Sequence, residues 1–313
     1  MRVTSSTKEI LKPNAIALGN FDGIHRGHQQ VVQPILKIAK ETSLYSTIVT
    51  FNPHPREYFS REKKKLLTPL KEKIKLLEDL GVEQLVLLPF NRELAELSPQ
   101  EFVEQILVKQ LEAKWISVGE DFRFGHKRAG KSQDLEAIAA QFGIKVYIII
   151  EQKCQGEKEQ IRISSSNIRH ALEAGKLETV QTMLGRSYTL TGEVVTGAKL
   201  GRKIGFPTAN LNLPPEKFLP RYGVYSVKVF LAGETTPILG VMNIGCRPTV
   251  EGKHPTVEVH LLDWTGDLYG KTITVSLVKF LRAEQKFPSL PALKEQITAD
   301  CDAARKKLLM DQG

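Results

Sequence analysis

Apolar positions in the first half of the chain fall in short unbroken runs, separated by stretches with helical spacing. "AIALGNF", "STIVTF", "EQLVLLPF", "WISVG" and "KVYIIIE" have the length and β-branched content of buried strands. Between them, "HQQVVQPILKIAKET", "TPLKEKIKLLEDLG", "SPQEFVEQILVKQLEA" and "SQDLEAIAAQFG" repeat apolar residues every three or four positions, as one face of a helix does. Ser98, Pro99 and Glu101 fit the N-cap, N1 and N3 places of a capping box. Gly81 closes the preceding helix as a C′ glycine. Strands alternating with helices predict an α/β domain, a Rossmann-like doubly wound parallel sheet covered on both faces. Such sheets take ligands at the carboxyl ends of their strands, near the topological switch point.

From Tyr188 the pattern changes. "YTLTGEVVTG", "GVYSVKVFLAG", "TPILGVMNIG", "TVEVHLLDW" and "KTITVSLVKFLR" are short, β-branched and separated by Gly, Pro and Asp turns. They predict a small antiparallel β-barrel or sandwich, followed by a terminal helix, "SLPALKEQITADCDAARKKLLM". The join falls near "MLGRSY", after the helix "NIRHALEAGKLETVQTML", giving domains 1–185 and 186–313. No internal repeat or low-complexity tract is present.

Composition narrows the class. A chain of 313 residues accommodates two domains of ~100–200 residues each. No apolar run reaches the ~20 residues of a membrane-spanning helix, and "MRVTSSTKEILKP" lacks a signal-peptide core, so a cytoplasmic enzyme is expected. Cys154, Cys246 and Cys301 are odd in number and far apart, unlike a disulfide framework or a CxxC zinc site. The net charge of +9 suits nucleic acid, an anionic surface or a small polyanionic substrate. The densest basic stretches, "REKKKLL" and "ARKKLLM", lack interleaved aromatics and read as solvated helix faces. Charge alone does not choose among these. With no recognised nucleic-acid motif and no spanning run, neither nucleic acid nor membrane is an expected partner, and a monomer or weak homo-oligomer is expected.

"GNFDGIHRGH" carries the first candidate chemistry. It lies where a strand hands over to a helix, and His25 and His28, three apart, project from one side of the helix start. Unpaired N–H groups and the positive dipole end attract anions there, and the glycines allow close backbone approach. The assembly suits a polyphosphate, with imidazoles donating to phosphoryl oxygens as charge builds. "SSSNIR" is on its own a good N-cap. Phe122 and Phe124 of "DFRFG" read as core packing or as the lining of a pocket.

"GNFDGIHRGH" resembles the signature of the HxGH nucleotidylyl transferase superfamily. "TFNPHPREYF", "VGEDFRFGHKRAG" and "ISSSNIR" are similar, in order and spacing, to blocks of prokaryotic bifunctional riboflavin kinase/FAD synthetases. The resemblance spans nearly the whole chain. It implies FMN adenylyltransferase chemistry in the first domain, with Gly19, Asn20, Phe21, Asp22, His25 and His28 at the nucleotide. His54 would stand nearby, Asp121, Phe122 and Phe124 in the flavin block, and Ser164 and Arg169 at the ATP phosphates. The FMN phosphate is already an anionic nucleophile, so this step needs no general base.

"GAKLGRKIGFPTANLNLP" carries the second. Its glycines with Lys199, Arg202 and Lys203 form a basic loop suited to phosphates, and it does not fit the Walker pattern. It resembles the riboflavin kinase loop and "PTAN" motif, with fewer glycines than that loop often has. The resemblance implies that Gly205 and Pro207 shape the nucleotide site and that Thr208 and Asn210, two apart in an extended segment, serve Mg²⁺. Phosphorylating a neutral alcohol calls for a carboxylate base. From pattern alone Glu258 is an exposed strand glutamate. The match of its strand to the kinase "E-x-H" strand assigns it as the base, and "LRAEQKFPS" resembles the segment over the flavin, with Arg282 a ligand contact. The expected substrates are riboflavin, FMN and ATP. The alternative is a nucleotidylyl transferase for another phosphorylated substrate with an unrelated barrel.

Overall fold

The computed structural model describes residues 1–155, 160–197, 200–234, 236–249 and 252–310. The chain divides into two compact units, Met1–Ser165 and Ser166–Gly313. The stretch 166–185, expected with the first domain, falls with the barrel in this division.

The first unit runs β1 (Arg2–Thr4), β2 (Asn14–Leu18), α1 (Arg26–Glu41), β3 (Tyr45–Asn52), α2 (Pro55–Ser60), α3 (Leu70–Asp79), β4 (Gln84–Pro89) and α4 (Arg92–Glu96). It continues through α5 (Pro99–Glu101), β5 (Ala113–Gly119), a hairpin of β6 (Arg123–Phe124) and β7 (Gly130–Lys131), α6 (Ser132–Ala140), β8 (Lys145–Ile149) and a hairpin of β9 (Lys153–Gln155) and β10 (Gln160–Arg162). Six parallel strands form one sheet in the order β1-β4-β3-β2-β5-β8. The order steps outward from β2 in both directions, so the switch point lies between β2 and β5, and the loop after β2 opens there.

β2 explains why both faces are covered. Ala15 and Ala17 pack with Val31, Val32 and Ile35 of α1, whereas Ile16 and Leu18 pack with Val103, Ile106 and Leu135. Alternation of side chains across a strand thus feeds two cores. The expected capping box is present, with the Ser98 hydroxyl accepting from Glu101 N and a Glu101 carboxylate oxygen accepting from Ser98 N. The helix that follows, Phe102–Gln110, is wound as a π-helix and closes with Leu111 N donating to Ile106 O at 2.9 Å. At the end of the sheet away from the switch-point loop, Gln84 donates to Asn14 Oδ1 and Thr47 Oγ1, both at 2.7 Å. This buried network ties the starts of the three central strands together.

The second unit begins with α7 (Ser165–Glu173, its first residue in the other unit) and α8 (Leu177–Leu184). It continues with β11 (Thr189–Val195), α9 (Leu200–Lys203), β12 (Ala209–Asn212), β13 (Gly223–Leu231), β14 (Ile238–Thr249), β15 (Gly252–Leu261), β16 (Thr272–Ala283) and α10 (Leu290–Met310). β11-β12-β15-β14-β13-β16 close into an antiparallel barrel. The barrel form is realised, not the sandwich, and its sixth strand is β12, inside the "PTAN" run. Val257, Val259, Met242 and Ile244 are buried. Cys301 and Ala304 of α10 pack on Val224 and Val241. Among the described residues no helix is long and apolar enough to cross a membrane.

Candidate active sites

The loop after β2 is built under strain. Phe21 (φ 48°) and Ile24 (φ 41°) are left-handed, a costly region for a bulky or β-branched residue. Each such residue costs about 1–3 kcal/mol. Both side chains are only 1% exposed, and burying a Phe or Ile contributes about 1.5–3 kcal/mol, enough to offset the turn. Asp22 Oδ1 accepts from Thr68 N at 3.1 Å, and Gly23 N donates to Thr68 Oγ1 at 2.9 Å.

The turn delivers His25 to the N-cap of α1, where its Nδ1 accepts from His28 N at 3.2 Å. That bond leaves the proton of a neutral His25 on Nε2. The imidazoles of His25 and His28 stack with centroids 3.6 Å apart, and Phe21 packs against His28 at 5.2 Å. A Cβ at Gly27 would lie 3.2 Å from His25 Nδ1, so the glycine makes room for the stacked ring.

Two other blocks of this unit reach the same place. The Ile163 carbonyl lies 3.7 Å from where a Gly27 Cβ would stand, and Ser165 Oγ donates to Asp22 O at 2.8 Å. Ser164, half-buried, lies between these two contacts at the start of α7. His54 caps α2, its Nδ1 accepting from Arg56 N at 3.0 Å. Burial first, then the nearby Lys64, lower the His54 pKa to about 4, against an opposing pull from Glu57. A cavity of about 110 Å³ is lined by Asn20, Asp22, Thr50, His54, Thr68 and Lys73. Asp121 accepts from Arg162 Nη2 at 2.6 Å, joining the "VGEDF" block to the strand before "ISSS". Phe122 and Phe124 stack at 5.8 Å; Phe124 is buried in the core, whereas Phe122 is half-buried. Arg169, on α7 within the second unit, places its guanidinium 5.6 Å from the Phe218 ring centroid.

In the barrel the register is the informative observation. Glu258 of β15 lies directly opposite Asn210 of β12 on one side and Asn243 of β14 on the other. Cross-strand partners share a face with Cβ atoms ~5 Å apart, so the expected base and an expected Mg²⁺ ligand are neighbours. A Cβ at Gly197 would collide with the Asn210 carboxamide, so any other residue there would displace that side chain.

Arg202, Pro207 and Thr208 line a cavity of about 290 Å³ with Trp264, Asp267 and Tyr269. Gly205, at φ 91°, turns the chain into this segment. His260 Nδ1 donates to Pro207 O at 2.7 Å, tying the loop to β15 two residues from Glu258. Arg282 is held by Asp300 of α10 through Nε (3.0 and 3.1 Å) and Nη2 (2.8 Å), with Phe287 against its guanidinium. Lys199 lies outside the described residues.

Residues 7–167 match the family model described as FAD synthetase, and residues 184–308 match riboflavin kinase. An Escherichia coli K12 protein named bifunctional riboflavin kinase/FMN adenylyltransferase is 41% identical over 292 residues, 93% of this chain and 91% of that one. The chain belongs to this bifunctional family. Relatives of the same name from Haemophilus influenzae and Bacillus subtilis are 39% and 38% identical, over 97% and 94% of this chain. A crystal structure named as a macrolide-efflux protein, from Streptococcus pneumoniae, is similar over 97% of this chain and 98% of its own (TM-score 0.84, 32% identity).

Sequence reasoning missed three residues near these candidate sites. Asn243 becomes visible only through strand register, whereas His260 is the histidine of the "E-x-H" strand. Thr68 and Lys73 come from a segment with no signature, and Lys73 was detectable only as a cation at an apolar helix position.

Proposed function

We propose that this chain phosphorylates riboflavin to FMN on the barrel and adenylylates FMN to FAD, releasing pyrophosphate, on the parallel-sheet domain. The observation that carries the reading is Glu258 directly opposite Asn210 in the barrel, whereas the His25–His28 pair belongs to the other unit. Glu258 accepts the proton of the ribityl hydroxyl as it attacks the γ-phosphoryl of ATP. Arg202, beside the 290 Å³ cavity, and Lys199 in the same loop offer cations to the phosphates. That cavity lies at the small end of the ~300–1,000 Å³ range of small-molecule sites.

Thr208 and Asn210 offer uncharged oxygen donors, a set that fits a hard cation, and would hold Mg²⁺ here. When bound, the ion neutralises charge on the transferring phosphates.

At the other site the FMN phosphate attacks the α-phosphorus of ATP. His25 Nε2–H and His28 donate to oxygens that gain charge as pyrophosphate leaves. Ser164 and Arg169 serve the ATP phosphates. Gly19 and Asn20 lend backbone to the nucleotide, and Asp22 holds the loop. Phe122, the more exposed of the stacked pair, faces the flavin. We assign the adenylyltransferase to 1–185 and the kinase to 186–313, in the cytoplasm.

Incubating the purified chain with riboflavin and MgATP, with chromatography of the flavins, tests the reading. FMN followed by FAD is expected; a folded sample that makes neither refutes it.

A further inference from the structure

Lys73 occupies a position on α3 where the apolar spacing calls for a leucine or methionine. It is 9% exposed and shares the buried side of the helix with Leu77. Its ammonium donates to the Asn20 carbonyl at 2.8 Å. Burial lowers its pKa, and the Asp22 carboxylate opposes that shift, so the carboxylate is close enough to favour the charged form. Thr68, 3% exposed, holds the next residues of the same loop: its N–H donates to Asp22 Oδ1 and its hydroxyl accepts from Gly23 N. The Lys73 ammonium and the Thr68 hydroxyl thus hold the two ends of the stretch 20–23, the Thr68 backbone N–H holds the Asp22 carboxylate, and Ser165 Oγ donates to the Asp22 carbonyl. This stretch contains the left-handed Phe21, is followed by the left-handed Ile24, and leads directly to His25.

We propose that Lys73 and Thr68 are positioning residues for adenylyl transfer. They hold the loop 20–24 in its strained turn and thereby set where His25 and His28 present their imidazoles. Neither residue belongs to the signature blocks; both line the cavity beside His54, and the role assigned here is to hold the loop. The proposal rests on the adenylyltransferase reading above.

Lys73→Met, Lys73→Arg and Thr68→Val in the full chain test it, with riboflavin phosphorylation and thermal melting as controls for folding. Lys73→Met and Thr68→Val are expected to lower kcat for FAD formation about 10-fold or more, since a ~1 Å misplacement of catalytic groups costs up to 10²-fold. KM for ATP and FMN stays within about threefold, because the lost interaction bears on the transition state. Lys73→Arg keeps most of the rate.

Combined with His28→Ala, Lys73→Met costs less than the product of the two separate losses, because part of its effect acts through that residue. Hydrogen–deuterium exchange of a peptide spanning 19–30 speeds up in Lys73→Met and Thr68→Val. Unchanged kcat in the folded variants, a loss confined to KM, full additivity with His28→Ala, or unchanged exchange each overturns the proposal. Should Lys73→Met fail to fold, Thr68→Val carries the same tests with the charge in place. A wild-type chain that makes no FAD refutes the adenylyltransferase reading instead, and exchange still decides whether the tether exists.

Discussion

His28 has one task in this account, donation to a charged oxygen, and its loss is expected to be specific. His28→Ala should slow FAD formation from FMN by ~10²–10³-fold, the cost of a single oxyanion-type donor, with riboflavin phosphorylation unchanged. Steady-state rates of both reactions on one preparation check this. Glu258→Gln should do the converse, abolishing FMN formation while FMN is still converted to FAD. His54 bears on stability. Its folded-state pKa of about 4 lies below the 6.5 of an ordinary histidine, so the unfolded chain takes up the proton first. Stability contributed by neutral His54 is therefore complete above pH 6.5 and is lost as pH falls towards 4. His54→Asn, which keeps a capping acceptor, should flatten that part of the profile in urea unfolding at pH 7, 5 and 4.

Elements position these residues, and here the sequence was legible unevenly. The five longer strands of the parallel sheet and their helices were plain because each strand carries an apolar run; in β2, β3, β4 and β5 that run is largely buried, whereas β8 at the sheet edge has no fully buried residue. β1 was not, because three residues, two of them exposed, leave no periodic trace. β12 escaped for another reason: "ANLN" alternates buried and less buried positions over only four residues, and its chemistry drew attention away from its pairing. Yet that pairing gives the kinase reading its geometry, since it sets Asn210 against Glu258. Phe102–Gln110 has the apolar spacing of an α-helix but is wound as a π-helix; we have no physical account of that difference. Gly197→Ala should drive a methyl into the Asn210 carboxamide and remove kinase activity, with FAD synthesis from FMN intact as the readout. At the opposite end of the sheet, Gln84→Leu leaves buried Asn14 and Thr47 with one partner fewer each. It should destabilise the first unit by about 1–3 kcal/mol in chemical unfolding without touching the rate constants of the kinase.

At the scale of the whole molecule, two folds with different demands share one chain. A parallel sheet with a switch point supplies a helix start and a strained loop for a reaction that needs no proton acceptor. A closed barrel supplies cross-strand neighbours for one that does. The charge of +9 suits a protein whose substrates all carry phosphate or acquire it. The domain roles were readable from the motifs, but the arrangement inside each site was not, because register and loop tethers join residues distant in sequence. The central claim is that the two chemistries occupy separate sites. Its most direct test is flavin chromatography on Glu258→Gln and His28→Ala, each supplied with MgATP and either riboflavin or FMN. The account predicts that Glu258→Gln makes FAD only from FMN, and that His28→Ala turns riboflavin into FMN and all but stops there. Loss of both reactions in either folded variant would contradict it.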